Sequence, residues 1–313
     1  MSIHHWMYEK LVANASPYRT LTIIDLLFIS GISIVFISSL LISIIKYKKE
    51  KLDLDLRLCI LLLIFDLCSS VVFIINGIAA ALNYSSYINT RAMCDLVGVL
   101  TLLPFIVSVN LMAVISLQRC LVIVYNKEYS HRFYYIILIV MVLMSIINSL
   151  QTSIFNGFAV FPNAIYCSLD PSTASGLAGS LLLSTICGLE YGTIVFCYIS
   201  ICIYRRKHSQ KAQIELGLDP VKVKKSVNST IIKSLSIIAT SLFTSGVYVL
   251  TIVVSCIYPD FITNFTELLQ IFFLSPQMIL NTIILLVMKP ALWDGMKKLY
   301  GFSPKVKVCN DLN

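Results

Sequence analysis

Apolar residues in this chain fall in long unbroken runs, not in the short alternations of soluble strands or the single stripes of surface helices. About 20 such residues cross ~30 Å of hydrocarbon at ~1.5 Å per residue. By that measure the chain holds seven segments: residues 21–45, 58–82, 96–122, 133–155, 177–204, 231–257 and 268–288. Their length, and the absence of a two-residue period, favours helices over barrel strands. The expected fold class is an all-α membrane protein: a seven-transmembrane helix bundle over residues 21–288, with residues 1–20 before it and a tail of 289–313 after it.

Composition strengthens this picture. Of 313 residues, 58% are hydrophobic and 13% charged, where soluble domains carry about 25% charge; mean hydropathy is +0.85. Internal repeats and low-complexity stretches are lacking, so one membrane domain fills the chain. The net charge of +8 reads as a topology signal: with the N-terminus outside, 21 of the 24 basic residues fall on the inner side, leaving Lys10, Arg19 and Arg91 outside. Nucleic acid is not implied. The first twenty residues lack the basic start of a signal peptide, and the run after them is too long for a signal core, so no cleavage is expected. Three sequons, at Asn14, Asn83 and Asn264, then face outside and are candidate glycosylation sites.

Polar residues inside the apolar runs carry the candidate chemistry. Arg119, in "SLQRCLVIVYN", closes an uncharged run, and Cys94 stands 25 residues before it at the other end of the third span. That separation is about 37 Å of helix, the apolar slab plus its margins. Cys94 and Cys167 are the two cysteines on the oxidising side, and a disulfide between them would tie the loop between spans four and five over the mouth of the bundle. Asp66, in "LLIFDLCS", is about 12 Å deep, where a carboxylate is costly unless paired, hydrated or protonated.

Together these features resemble the rhodopsin-like (class A, family 1) G-protein-coupled receptors, with this chain a divergent member. "SLQRCLVIVYN" is similar to the family's Ser-Ile-Asp-Arg-Tyr-Leu-Ala-Ile-Val stretch. The resemblance implies a receptor that senses an extracellular ligand at the plasma membrane and activates a heterotrimeric G protein, with Arg119 and its neighbour Gln118, Tyr198 and Lys233 at the coupling face. It implies a polar network of Asp66, Ser108 and Asn281 that holds a sodium ion, with Ser38 beside it. "KPALWDGMKKLYGF" reads as a short amphipathic helix after the seventh span, and Cys309 beyond it as a palmitoylation candidate. A ligand pocket in the outer half would use Thr101, Phe105, Glu190, Tyr191, Tyr248, Glu267 and Gln270. Glu190 would there meet a cationic or hydrogen-bonding ligand, or else stay protonated within the bundle.

Departures from the family matter as much. Gln118 stands where an acid usually restrains the arginine, and Thr282 and Leu285 replace the proline and tyrosine after Asn281. Neither that neighbour nor the base of span six offers a carboxylate, so Arg119 is expected to be weakly restrained and basal signalling appreciable. Span six has no proline, and Gly246 is the candidate hinge. No aspartate lies where amine receptors pair their ligand. Ser275 stands where visual pigments carry the retinal-binding lysine, so no retinal is expected. The alternatives are a membrane transporter or channel, or a seven-span scaffold without G-protein coupling. No enzyme motif or metal-ligand spacing is present.

Overall fold

A computed structural model describes residues 5–47, 53–209, 215, 217 and 219–302. Outside them lie Cys309 and the basic residues Lys48, Lys49, Lys51, Lys211, Lys305 and Lys307. Seven helices in it are long and apolar enough to cross a membrane. Preceding them is α1 (His5–Asn14), a short helix within the segment expected to be plain N-terminus. The spans are α2 (Tyr18–Tyr47), α3 (Leu54–Ala81), α5 (Arg91–Ile123), α6 (His131–Ile154), α7 (Ala174–Tyr204), the pair α8 (Pro220–Phe243) and α9 (Ser245–Ile257), and the pair α10 (Asn264–Leu274) and α11 (Gln277–Met288). A single turn, α4 (Ser86–Asn89), joins α3 to α5, and α12 (Pro290–Leu299) follows the last span.

Most helices overrun the apolar runs because polar turns at their ends carry their own caps. Thr173 accepts from Gly176 N, Asp219 from Val221 N, and Thr263 forms a capping box with Thr266. Pro220 at the first turn and the Asp219 cap start α8 eleven residues before its apolar stretch.

Two spans are broken. The sixth parts at Thr244, not at Gly246: Thr244 and Ser245 hydroxyls bond back to the carbonyls of Thr240 and Ser241, which bends a helix. The seventh parts at Ser275–Pro276, where proline has no N–H to continue the ladder. Pro104, by contrast, lies within the continuous α5.

Helix α5 is the axis of the bundle. In its most apolar window 72% of residues are buried, against 28–50% in the other spans. Across its Cys94 end lies a hairpin, β1 (Phe158–Val160) with β2 (Cys167–Leu169), in register Phe158↔Leu169 and Val160↔Cys167. Gly98 lets it approach: a Cβ there would come within 2.6 Å of the Phe158 ring. The hairpin tip, Asn163 to Tyr166, is buried in the mouth of the bundle. At the opposite end α12 lays Leu292 and Met296 against the first span, and Ser39 shares a hydrogen bond with Tyr300.

Candidate functional site

Helices α3 and α5 run antiparallel, and three polar rungs join them. Asn76 Nδ2 donates to Thr101 Oγ1 at 3.0 Å, Ser108 Oγ to Asp66 Oδ1 at 2.6 Å, and Arg119 Nε and Nη2 to the two oxygens of Asp55 at 2.9 and 3.3 Å. The spacing follows from helix geometry. Asp55 and Asp66 are eleven residues apart, as are Ser108 and Arg119. Eleven residues are close to three turns, so each pair shares one helix face about 16 Å apart along the axis.

The middle rung is closed on both sides. Asp66 is 1% exposed, and its second oxygen accepts from Asn281 Nδ2 of α11 at 3.0 Å. Ser38, expected beside it, makes no hydrogen bond to Asp66: the hydroxyls of α2 on either side of it bond to their own helix, Ser39 to the Val35 carbonyl and Ser33 to that of Ile29. As a cation site the donor set offers one carboxylate and one hydroxyl. Asn281 presents its N–H side, so a sodium ion would require its amide oxygen turned inward. Among the described residues no group of three or more His, Cys, Asp or Glu is placed to hold a metal ion.

At the Arg119 end, the expectation of a weakly restrained arginine is corrected. Its carboxylate partner comes from α3: Asp55 holds it in a two-pronged pair whose side chains are 12% and 17% exposed. Arg119 Nη1 also donates to the Tyr198 hydroxyl at 3.2 Å. Lys289, at the end of α11, adds a second cation at 2.8 Å from Asp55 and 3.1 Å from Asp53. Partial burial acts to lower the Lys289 pKa, but the hydrogen bonds and charges of Asp55 and Asp53 outweigh it and hold the pKa raised. The pair is therefore complete at neutral pH and is lost only as pH rises past the ordinary lysine range. Asp55 thus ties spans two, three and seven together. Gln118 makes no comparable contact, and its Oε1 is buried without a partner. The cavity between Arg119, Tyr198, Ile237, Asn281, Leu285 and Met288 is about 40 Å³, so this end is closed. Lys233 lies apart from it, in a basic groove of about 620 Å³ with Lys224 and Lys225.

At the other end Cys94 and Cys167 form the disulfide, with Cα atoms 5.4 Å apart. The groups around the mouth are largely committed to the hairpin. Glu267, fully buried, accepts from Asn163 N at 2.7 Å, and Asn163 Nδ2 bonds the Asn264 carbonyl and Thr22. Burial, with Glu267 and Tyr248 nearby, pushes the Tyr166 hydroxyl well above its usual range, so it stays neutral. Phe105 and Tyr248 meet edge to face at 5.2 Å, Tyr191 is buried beside them in the core, and Gln270 is buried with both amide atoms unpartnered. Glu190 is not part of this group: it lines a cleft between α5, α6 and α7.

Replacing Glu267 by leucine leaves the Asn163 N–H without its acceptor, at a cost of about 1–3 kcal/mol. Faster amide exchange across residues 158–169 is the expected result, and exchange unchanged from wild type would show that the hairpin is held by other contacts.

Of the three sequons, Asn14 and Asn83 are exposed, and Asn83 accepts from Arg19 through Oδ1, leaving its nitrogen free. Asn264 uses its side-chain nitrogen, the atom a glycan would take, to bond the Asn14 carbonyl. Ser275 donates to Asp25, an intramembrane carboxyl that adds to Asp66 and Glu190.

The family model for "7 transmembrane receptor (rhodopsin family)" matches residues 20–292. No curated protein sequence matches the chain. Among solved structures, a crystal structure of squid rhodopsin superposes with a TM-score of 0.74 at 20% identity, covering 96% of this chain and 89% of that one. At that identity the likeness is one of fold.

Proposed function

We propose, since the chain belongs to the rhodopsin family of seven-transmembrane receptors of the plasma membrane, proteins that are receptors rather than enzymes, that it senses an extracellular ligand and activates a heterotrimeric G protein at the end carrying Arg119. The count of basic residues supports that orientation, with the N-terminus and the disulfide outside. One observation carries the mechanism: Asp55 binds Arg119 and Lys289 at once across a closed inner end. A helix is about 10 Å wide and has no room in a cavity of 40 Å³. Coupling therefore requires α8 to move away from α5 and α7 and Arg119 to leave Asp55. The Thr244 break gives α8 a place to swing, and Lys233, one turn from Ile237 on the same helix, would then join the opened groove. A ligand drives this step only by its differential affinity for the two arrangements.

With the Asn281 amide turned to present its oxygen, Asp66, Ser108 and Asn281 would hold a regulatory sodium ion, which would neutralise the carboxylate while the bundle is closed. Melting of the purified receptor in sodium chloride and in choline chloride tests this. Wild type should melt higher in sodium, and Asp66→Asn should melt equally in both. Equal melting of wild type in the two salts would remove sodium from the proposal.

At the outer end, Gln270, Phe105, Tyr191 and Tyr248 are buried and Thr101 accepts from Asn76, so a ligand meets these side chains only when the mouth opens. Glu267 is engaged by the hairpin, so it meets a ligand only if the hairpin yields. Expression with a panel of G-protein sensors tests the whole proposal. Ligand-independent signal abolished by Arg119→Ala supports coupling. Silence in every sensor, including that of Asp55→Asn, supports a scaffold, and ion currents or solute flux support transport.

A further inference from the structure

The cleft that Glu190 lines opens on the lipid-facing flank of the bundle and has a volume of about 280 Å³, near the lower edge of the ~300–1,000 Å³ of small-molecule sites. Its walls are Ala113, Val114 and Leu117 of α5, Met141 and Met144 of α6, and Leu189 of α7. Met144 and Leu189 are exposed on the bundle surface, so the cleft is reached from the bilayer. Glu190 lies 16 residues from one end of α7 and 14 from the other. That places it about 24 and 21 Å from the ends, at the midplane.

Two polar side chains line this space. Thr193 spends its hydroxyl on the Leu189 carbonyl at 2.8 Å. Glu190 is 3% exposed, and neither carboxyl oxygen has a hydrogen-bond partner. Among the described residues the other deep carboxyls are held: Asp66 by Ser108 and Asn281, Asp25 by Ser275, Glu267 by Asn163. A buried polar group without a partner is costly and calls for one.

We propose that the cleft binds a lipophilic molecule from the bilayer carrying a single hydroxyl, held by reciprocal hydrogen bonds with Glu190. A carboxyl without a cation nearby at the midplane is uncharged, so it has one O–H to give and a carbonyl oxygen to accept. A hydroxyl matches both roles and leaves nothing unsatisfied. An ammonium would require the carboxyl to ionise and both charges to be desolvated at the midplane, which costs more than a neutral pair, and a hydrocarbon would leave the carboxyl as it is. The outer mouth is filled by the hairpin, whereas this flank is open. Leu117 precedes Gln118 and Arg119 by one and two residues, so an occupant would press on α5 beside the Asp55 pair. That effect on signalling rests on the function proposed above, while binding does not.

Photolabelling of the full chain in nanodiscs with a diazirine-bearing hexadecanol tests the site. Adducts should map to residues 137–144 and 186–193 and be competed by hexadecanol but not by hexadecane. Glu190→Leu should weaken labelling by about tenfold, the loss of a hydrogen-bonded pair, whereas Glu190→Gln, which keeps a donor and an acceptor, should retain it. Met144→Trp, filling the cleft with Glu190 intact, should abolish it. Glu190→Leu should melt no lower than wild type, because it removes unpartnered polar atoms. Should Glu190→Leu fail to fold, the Met144→Trp variant and the competition series decide. Equal labelling of Glu190→Leu and wild type, competition by hexadecane, or stronger competition by hexadecylamine than by hexadecanol would each overturn the proposal.

Discussion

Asp55→Asn raises ligand-independent G-protein activation. The lost contact is a two-pronged, charge-assisted pair with both side chains less than one-fifth exposed, and such bonds contribute about 1.5–3 kcal/mol. If that energy belongs to the closed arrangement, its loss shifts the balance toward the open one by roughly 10–100-fold. Asparagine still offers one oxygen, so the lower part of that range is the better expectation. The effect depends on Arg119, and Asp55→Asn/Arg119→Ala should be silent. Lys289→Ala should not raise basal activity, because it leaves Asp55 wholly to Arg119. Gln118→Asp should lower it, by giving the arginine a second acid. Basal activity equal to wild type in Asp55→Asn, at equal surface abundance, would show that Asp55 is not the restraint.

Cys94→Ser and Cys167→Ser each remove most of the receptor from the cell surface. The bond closes a 73-residue separation, worth roughly 4 kcal/mol by loop entropy, against a total stability of about 5–15 kcal/mol. It also pins β2 to α5, and through the hairpin it holds the Asn163 contacts to the first and last spans. Surface staining in intact cells reads the loss, and the double variant should fare no worse than either single one, since the second cysteine has nothing left to bond. Wild-type abundance of the single variants would mean that the hairpin stays seated without the bond.

The seven spans were legible because the lipid requirement is written in run length, and the Cys94–Cys167 bond because the outer side offered those two cysteines. Ser108 and Asn281 beside Asp66 were legible only through family resemblance. Asp55 carries no such mark, although "KLDLDLRL" places it eleven residues before Asp66 and hence on the same helix face. It lies where charges ordinarily mark a loop, and its partners sit 64 and 234 residues away. For Glu190 the sequence leaves open whether it meets a ligand or stays within the bundle, because its depth is readable while its azimuth around α7 is not. The break of the sixth span was expected at glycine and falls at Thr244, where hydroxyl bonds to the backbone leave no distinctive sequence mark.

The central claim is that Arg119, once free of Asp55, engages a G protein. Its most direct test is GTP exchange by a panel of purified G proteins on nanodiscs carrying Asp55→Asn or Asp55→Asn/Arg119→Ala. Exchange above empty nanodiscs for the single variant, returned to the empty level in the double variant, is expected for at least one G protein. Equal exchange with and without Arg119, or none with any member of the panel, contradicts it.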